Sequence, residues 1–162
     1  MKNAVGRILF TVFLFSTIIA CEKEDLTTNH KVVSVSYHSM EIKVMDLVNN
    51  YRTGLGLNAL NTSNLVSIEA ATHSAYMVEI GAVNHDYFDI RTQNLMENSA
   101  ALSVAENVGF GYKTAEELVN SWLNSTSHRN NIESKYFTDF GISAKQNLNG
   151  RYYVTQIFIK RK

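Results

Sequence analysis

The stretch FGISAKQNLNGRYYVTQIFI, residues 140–159, decides the fold that we predict for this chain. Apolar and polar residues alternate on both sides of Asn149-Gly150, a dipeptide that favours the tight turn of a β-hairpin. We therefore predict antiparallel strands over residues 140–145 and 151–159, and a third strand over 103–110. Helical patterns precede these strands. The combination predicts an α+β domain in which helices cover an antiparallel sheet.

Helical periodicity places the first two helices. The first is predicted over residues 40–52, where apolar residues recur at i, i+3, i+4 and i+7. The second is predicted to begin after Ser63 as N-cap and to end at Gly81. Its buried face is expected to consist of Leu65, Ile68, Ala71, Ala75 and Val78.

Capping signals place the remaining helices. Asp86 is expected to cap a third helix. The pair Thr114 and Glu117 has the spacing of a capping box, in which each side chain bonds the backbone amide of the other, and it opens a helix with Trp122 facing inward. Ser127 is expected to cap one further turn that ends near Ile132.

The N-terminus resembles an export signal. Lys2 and Arg7 precede an apolar run over residues 8–20, which as a helix of about 20 Å is too short for a bilayer core of roughly 30 Å. We predict a signal peptide over residues 1–20. The run ends in Ile18-Ile-Ala-Cys21, which resembles the lipobox of bacterial lipoproteins, and a lipid on Cys21 would anchor the chain to a membrane. The alternative is an ordinary signal peptide with Cys21 as a free thiol.

Two segments are expected after the cleavage point: a polar tether over residues 21–38 and a folded domain over 39–162. The sequence Glu22-Lys-Glu-Asp25 resembles a surface-export signal of some Gram-negative lineages and otherwise is a solvated linker. The expected location is extracytoplasmic and membrane-anchored, with outer-membrane surface exposure if the export signal operates.

Composition excludes several classes of protein. The chain has 15 basic and 15 acidic residues, so no strongly basic surface is available for nucleic acid. Loss of Lys2 and Arg7 with the signal peptide gives the mature chain a formal charge of 15 minus 2 basic against 15 acidic residues, or −2. One cysteine excludes both an intrachain disulfide framework and a multi-cysteine zinc site.

Three residues are candidates for chemistry. His85 and His128 fall at breaks between predicted elements, and Glu106 interrupts an otherwise apolar strand, where a carboxylate needs a partner. His73 lies mid-helix and is expected to pack. The candidate set His85, Glu106 and His128 supports three hypotheses: a divalent cation site such as zinc, an acid–base pair in which Glu106 orients an imidazole, or a buried hydrogen-bond network.

The order of motifs resembles the CAP superfamily, which includes cysteine-rich secretory proteins and plant pathogenesis-related proteins. The motifs, spread over about residues 41–160, include Asn50-Tyr-Arg52, Ala70-Ala-Thr-His73, Asn84-His85-Asp, Phe88 with Arg91, Ala105-Glu106-Asn107, Ser127-His128-Arg129 and Tyr153-Val-Thr-Gln156. The resemblance is to the short bacterial form without disulfides. It implies a three-layer α-β-α sandwich with a central antiparallel sheet and a cleft.

In the family, two histidines and two glutamates line the cleft and can hold a divalent metal. The resemblance places the histidines at His85 and His128, and the first glutamate at Glu106. The second glutamate falls on Ser125, which has no carboxylate. We therefore expect weaker binding of zinc, or of magnesium or calcium, than a full set would give. Asn107 and Gln156 are expected as secondary polar lining of the cleft.

Three functions are compatible with these features. The favoured one is a lipid-anchored surface or envelope module that binds a lipid, glycan or protein ligand at the cleft. The second is a metal-assisted hydrolase, peptidase-like, that uses His85, Glu106 and His128 as catalytic residues. Ser125, three residues before His128, also suggests a Ser–His pair. The third is a structural protein in which the polar cluster only stabilises the fold.

Overall fold

The structure is a computed structural model that describes residues 34–162. The predicted signal peptide, Cys21 and the segment 22–25 lie outside the described residues. Within residues 34–162 nine elements follow in chain order: α1 Ser39–Gly54, β1 Asn61–Thr62, α2 Asn64–Ile80, α3 Phe88–Asn98, β2 Ala101–Phe110, α4 Ala115–Asn124, α5 Thr126–Glu133, β3 Asp139–Gln146 and β4 Tyr152–Arg161.

The predicted hairpin forms the centre of the sheet. The strand order is β1-β3-β4-β2, in which β3 pairs antiparallel with β4, and β4 antiparallel with β2. The two residues of β1 pair parallel with β3. The sheet is therefore mixed, although its three long strands are antiparallel as predicted. Strand β2 lies at one edge, and this position determines where the site is built.

Alternation along β4 separates two apolar cores. Val154 and Phe158 pack in the core shared with α1, α4 and α5, whereas Ile157 and Ile159 pack with α2 and α3. Because successive strand residues point to opposite faces, one strand contributes to both cores. The result is the predicted three-layer α-β-α sandwich, with α1, α4 and α5 on one face and α2 and α3 on the other.

Two residues that precede the predicted domain boundary at residue 39 contact the domain. The Tyr37 hydroxyl lies 2.8 Å from Ser67 Oγ on α2. The backbone amide of His38 donates to Glu41 Oε2 at 2.8 Å, while Glu41 Oε1 accepts from the Ala144 amide at 2.8 Å. These contacts join the last two residues of the predicted tether to the domain.

The predicted buried face of α2 is wrong, since the observed face is shifted by about one residue along the sequence. Leu65 and Ile68 are exposed, and the face against the sheet consists of Val66, Ser67, Ala70, His73, Ser74 and Met77. Apolar periodicity did not predict this face because some of its residues are polar, and their hydrogen bonds are made to the sheet. Ser67 Oγ accepts from the Ile142 amide, and Ser74 Oγ donates to the Ser143 carbonyl. The helix also approaches β3 closely at Gly141, where a side chain would overlap the Ser67 amide.

The helix boundaries confirm the capping signals at Ser63, Gly81 and Thr114, whereas the N-cap of α5 is Ser125 and not Ser127, which lies inside the helix. Ser63 precedes α2, and Gly81 follows it in the left-handed conformation. Thr114 and Glu117 form the capping box, and Trp122 is buried. The N-cap of α3, however, is Tyr87 and not Asp86. Asp86 instead accepts hydrogen bonds from Tyr76 and Asn84. Among residues 34–162, no helix combines the length and apolarity needed to cross a bilayer.

Candidate functional site

The site is centred on the carboxylate of Glu106, which lies on edge strand β2 and faces α3. Its side chain is 1% exposed. Arg91 on α3 binds both oxygens, Nε to Oε2 and Nη2 to Oε1, each at 2.8 Å. His85 Nδ1 lies 2.8 Å from Oε1. The expectation that a carboxylate in an apolar strand must be paired is confirmed, with arginine as its principal partner.

The Glu106 carboxyl stays ionised although it is buried. Burial alone raises the pKa of the Glu106 carboxyl, but the hydrogen bonds from His85 and Arg91 and the charge of Arg91 outweigh it, so the pKa lies below its ordinary value. The pair is therefore an ionised carboxylate and a guanidinium that neutralise each other. A neutralised carboxylate held by three bonds is a poor general base.

His85 is presented to solvent by the loop between α2 and α3. Gly81 ends α2 with a φ of 68° and so allows the chain to turn toward the edge of the sheet. The His85 side chain is 51% exposed, although its Nδ1 is held by Glu106. Because an ionised carboxylate only accepts hydrogen bonds, Nδ1–H donates to Glu106, and Nε2 is not part of that bond.

His128 reaches the same edge of the sheet from the opposite layer. It lies on α5, half-buried, with its ring centroid 6.4 Å from that of Trp122. Burial and, to a smaller extent, the neighbouring His85 imidazole lower the pKa of His128. Both effects keep the ring uncharged at neutral pH. His85 and His128 thus flank strand β2 from its two faces.

Amides fix α5 against β2. Asn107, completely buried, donates from Nδ2 to the His128 carbonyl at 3.1 Å. Asn131 donates to Asn107 Oδ1 at 2.9 Å and to the Glu106 carbonyl at 3.3 Å. Gln156, opposite Asn107 on β4, is also completely buried. Asn107 and Gln156 are therefore both interior residues, and their role as polar lining of a cleft stays a prediction.

Ser125 separates α4 from α5 and is not paired with a histidine. Its Oγ lies 3.2 Å from Ser127 Oγ. The Ser–His pair suggested by the spacing of Ser125 and His128 is not formed in the structure.

Two members of the site were not predicted as such. Arg91 belongs to the family motifs but was assigned no role, although it is the single Lys or Arg between Thr53 and Tyr112 and thus the natural partner of an isolated carboxylate. His73 was expected to pack, and it does, being 1% exposed and stacked on Tyr76. In addition, its Nε2 lies 2.9 Å from the Asn84 carbonyl and 3.9 Å from Glu106 Oε1.

The predicted metal ligands do not form a donor set in this geometry. Both Glu106 oxygens are bound to Arg91, and only the two imidazoles remain. Within residues 34–162 no three His, Cys, Asp or Glu side chains are grouped closely enough to hold a metal ion. A zinc site takes three or four such ligands. The cation site at His85, Glu106 and His128 stays a prediction, and the function proposed for the cleft does not depend on it.

These features define a class of protein: a three-layer α-β-α domain with His85, Glu106 and His128 near one another at an edge strand. The sequence model of the cysteine-rich secretory protein (CAP) family matches residues 45–158, and the chain belongs to this family. The resemblance drawn from the motifs is thereby confirmed.

Two proteins of Bacillus subtilis are similar in sequence. The uncharacterized protein YkwD is 32% identical over 124 residues, which cover 75% of this chain and 47% of the relative. The uncharacterized membrane protein YlbC is 28% identical over 124 residues, which cover 75% of this chain and 34% of the relative. The chain spans less than half the length of these curated relatives.

Solved structures share the fold. An outer surface protein from Borrelia burgdorferi superposes with a TM-score of 0.67 at 21% identity, covering 74% of this chain and 90% of that one. An extracellular SCP-domain protein from Bacillus anthracis gives a TM-score of 0.66 at 23% identity, covering 80% of this chain and 45% of that one. At these identities the similarity shows a shared fold.

Proposed function

We propose that this protein is an extracytoplasmic, lipid-anchored binding module that recognises a lipid, glycan or protein ligand at the cleft between His85 and His128. The observation that carries the proposal is the bidentate ion pair of Arg91 and Glu106. Because Arg91 and His85 both bind the Glu106 carboxylate, we infer that this carboxylate holds His85 in position.

The chemistry of the exposed groups suits recognition. The His85 side chain is 51% exposed while its Nδ1 is held by Glu106, and His128 lies across the same strand. Imidazole rings form hydrogen bonds through their nitrogens and offer an apolar face, so a pair of them can orient a polar ligand. No hydrogen bond among residues 34–162 activates a serine at the cleft.

Location outside the cytoplasm is supported by two independent features. The N-terminus has the apolar run and the lipobox-like Ile18-Ile-Ala-Cys21. The similar structures are those of an outer surface protein and an extracellular protein. Mass spectrometry of the N-terminal peptide of membrane-extracted protein tests the anchor: a diacylglyceryl group on Cys21 is expected, and a free thiol there would refute it.

Ligand binding is tested with protein purified from its membrane without chelators. Native mass spectrometry of the wild type is expected to show a bound molecule that is reduced severalfold in His85→Ala and His128→Ala. The matched control is His38→Ala, at the start of α1 and away from the cleft. Equal ligand occupancy in all four proteins would contradict a site at the cleft, and stable folding with no ligand in any of them would favour a structural role.

Hydrolysis is a second candidate because the Glu106–His85 hydrogen bond orients the imidazole, and an oriented imidazole can act as a general base toward water. Turnover of a peptide or ester library by the wild type, abolished in His85→Gln with folding intact, would establish it. Saturable binding without turnover would instead support the binding module.

A further inference from the structure

A second concave surface adjoins the Glu106 site and shares His73 and Arg91 with it. Helices α2 and α3 enclose a groove of about 260 Å³ whose walls include Glu69, Tyr76, Tyr87 and Ile90, and whose lining also includes His73. The lining residues recur at i, i+3, i+4 and i+7 on both helices, so the groove runs between two facing ridges. The rings of Tyr76 and Tyr87 meet edge to face at 5.5 Å.

Two local features mark the groove as more than a packing gap. Tyr87 adopts a φ of 59°, a left-handed conformation that a bulky residue rarely holds, and it is nevertheless 59% exposed. His73 is 1% exposed, and its Nδ1 has no partner among the described residues. Since Nε2 faces the Asn84 carbonyl and so carries the proton, Nδ1 is an unused acceptor.

The surroundings of the groove are acidic. Between Thr53 and Tyr112 the only cation is Arg91, which Glu106 neutralises. The remaining charges of that stretch are five carboxylates: Glu69, Glu79, Asp86, Asp89 and Glu97. The layer formed by α2 and α3 therefore presents only negative charge, while the chain after Tyr112 has eight basic and four acidic residues.

The outer surface of this layer is also apolar. Of the twelve large apolar side chains exposed in residues 34–162, eight lie between Leu65 and Leu102. They extend well beyond the groove itself, on α2, on α3 and on the segments that adjoin them. A small molecule seated in the groove would leave most of this surface uncovered, whereas a polypeptide would cover it.

We propose that the α2–α3 groove binds a segment of another protein that presents a Lys or Arg side chain between apolar residues. The aliphatic part of that side chain lies against Ile90, and its cationic end lies against the rings of Tyr76 and Tyr87 and the carboxylate of Glu69. Cations are attracted to aromatic faces and to carboxylates together, and the flanking apolar residues cover the exposed surface of the two helices.

The test uses two peptides with blocked ends, Leu-Lys-Leu-Lys-Leu and Leu-Gln-Leu-Gln-Leu, titrated calorimetrically into the full chain in a non-ionic detergent. The lysine peptide is expected to bind about tenfold more tightly than the glutamine peptide, and to weaken severalfold as salt rises, because exposed charge pairs are screened. Equal binding of the two peptides, or binding that salt does not weaken, would overturn the proposal.

Two variants locate the contact. Tyr87→Asn removes the ring and keeps a residue that tolerates the left-handed conformation, and Glu69→Gln removes a carboxylate of the wall. Each is expected to weaken the lysine peptide by about three- to tenfold, the range of one cation–π or ion-pair contact. Glu116→Gln is the matched control, since Glu116 lies on α4 and pairs with Lys43. Equal affinity in all three variants would refute the groove as the site.

A second copy of this chain is the competing occupant, because its own segment after Tyr112 is basic. Sedimentation velocity distinguishes the two. A monomeric wild type that binds the lysine peptide supports the proposal. Self-association that Tyr87→Asn and Glu69→Gln abolish would overturn it in favour of a homotypic interface. Neither result depends on ligand binding between His85 and His128.

Discussion

The guanidinium of Arg91 contacts both carboxylate oxygens of Glu106 at 2.8 Å, so an edge strand and a covering helix are joined by a buried, bidentate ion pair. Arg91 Nη1 also donates to the Asp86 carbonyl at 2.7 Å, which fixes the loop that carries His85. One arginine thus sets the position of α3, the state of the carboxylate and the path of the loop.

Removal of Arg91 is expected to cost much stability. Arg91→Gln leaves an unpaired buried carboxylate, and breaking a buried pair from one side costs roughly 3–5 kcal/mol. Urea unfolding at pH 7 measures it. The control is Arg161→Gln, since Arg161 pairs with Asp139 at 3.4 Å with a 44% exposed side chain, where less than about 1 kcal/mol is expected. Similar losses in both variants would contradict a special role for Arg91.

Acid is expected to destabilise the fold through Glu106. Its pKa is lower in the folded chain than its ordinary value of 4.5, so the stability it contributes is complete above about pH 4.5 and is lost as the pH falls through the folded pKa. Glu106→Gln lowers the free energy of unfolding at pH 7 but also flattens its dependence on pH below about 4.5. If the free energy of unfolding falls with pH below about 4.5 as steeply in Glu106→Gln as in the wild type, other carboxylates determine that dependence.

The burial of His73 predicts a second, smaller dependence of folding stability on pH. Burial lowers the pKa of His73 from its ordinary value of 6.5, opposed by the Asn84 carbonyl and the Glu106 charge. The unfolded chain therefore takes up the proton more readily, and stability falls as the pH drops below about 6.5 toward the folded pKa. His73→Gln should reduce the slope of unfolding free energy between about pH 7 and pH 5, and the double variant with His128→Gln should reduce it further. An unchanged slope in the double variant would contradict burial as its cause.

Close packing of α2 on β3 predicts intolerance at Gly141. A Cβ there overlaps the Ser67 amide, which belongs to the helix backbone and cannot rotate away, so Gly141→Ala is expected to destabilise by about 1–3 kcal/mol. Gly54, in the last turn of α1, has open space around it, and Gly54→Ala is expected to be neutral or to stabilise by up to about 1 kcal/mol. Thermal unfolding of both variants tests this, and a tolerated Gly141→Ala would mean that the helix can move away from the sheet.

Zinc is expected to bind weakly. His85 and His128 supply two nitrogens, Ser125 supplies no carboxylate, and Arg91 occupies Glu106, whereas tight sites use three or four ligands. Calorimetric titration of chelator-treated protein is expected to give at most weak binding. Submicromolar affinity that His85→Ala and His128→Ala both abolish would show that the cleft rearranges around the metal.

Much of the fold was predictable because its signals are local. The Asn149-Gly150 turn, the capping box at Thr114 and the glycine after α2 each depend on a few adjacent residues. The buried face of α2 was not predictable in this way, since its polar members Ser67 and Ser74 are satisfied by β3 and β4, whose positions no helical periodicity encodes. The N-cap at Tyr87 is likewise held by the surrounding loop against its own backbone preference.

For the site, the sequence by itself predicts three candidate residues, His85, Glu106 and His128, from their breaks in pattern and from the family motifs. Only the tertiary structure decided what Glu106 does, because its partner Arg91 lies fifteen residues away on a helix that packs against the strand. A carboxylate in the sequence is compatible with a metal ligand, a base or a buried ion pair. The choice between them depends on which charge the fold brings within hydrogen-bonding distance, and here that charge is a guanidinium.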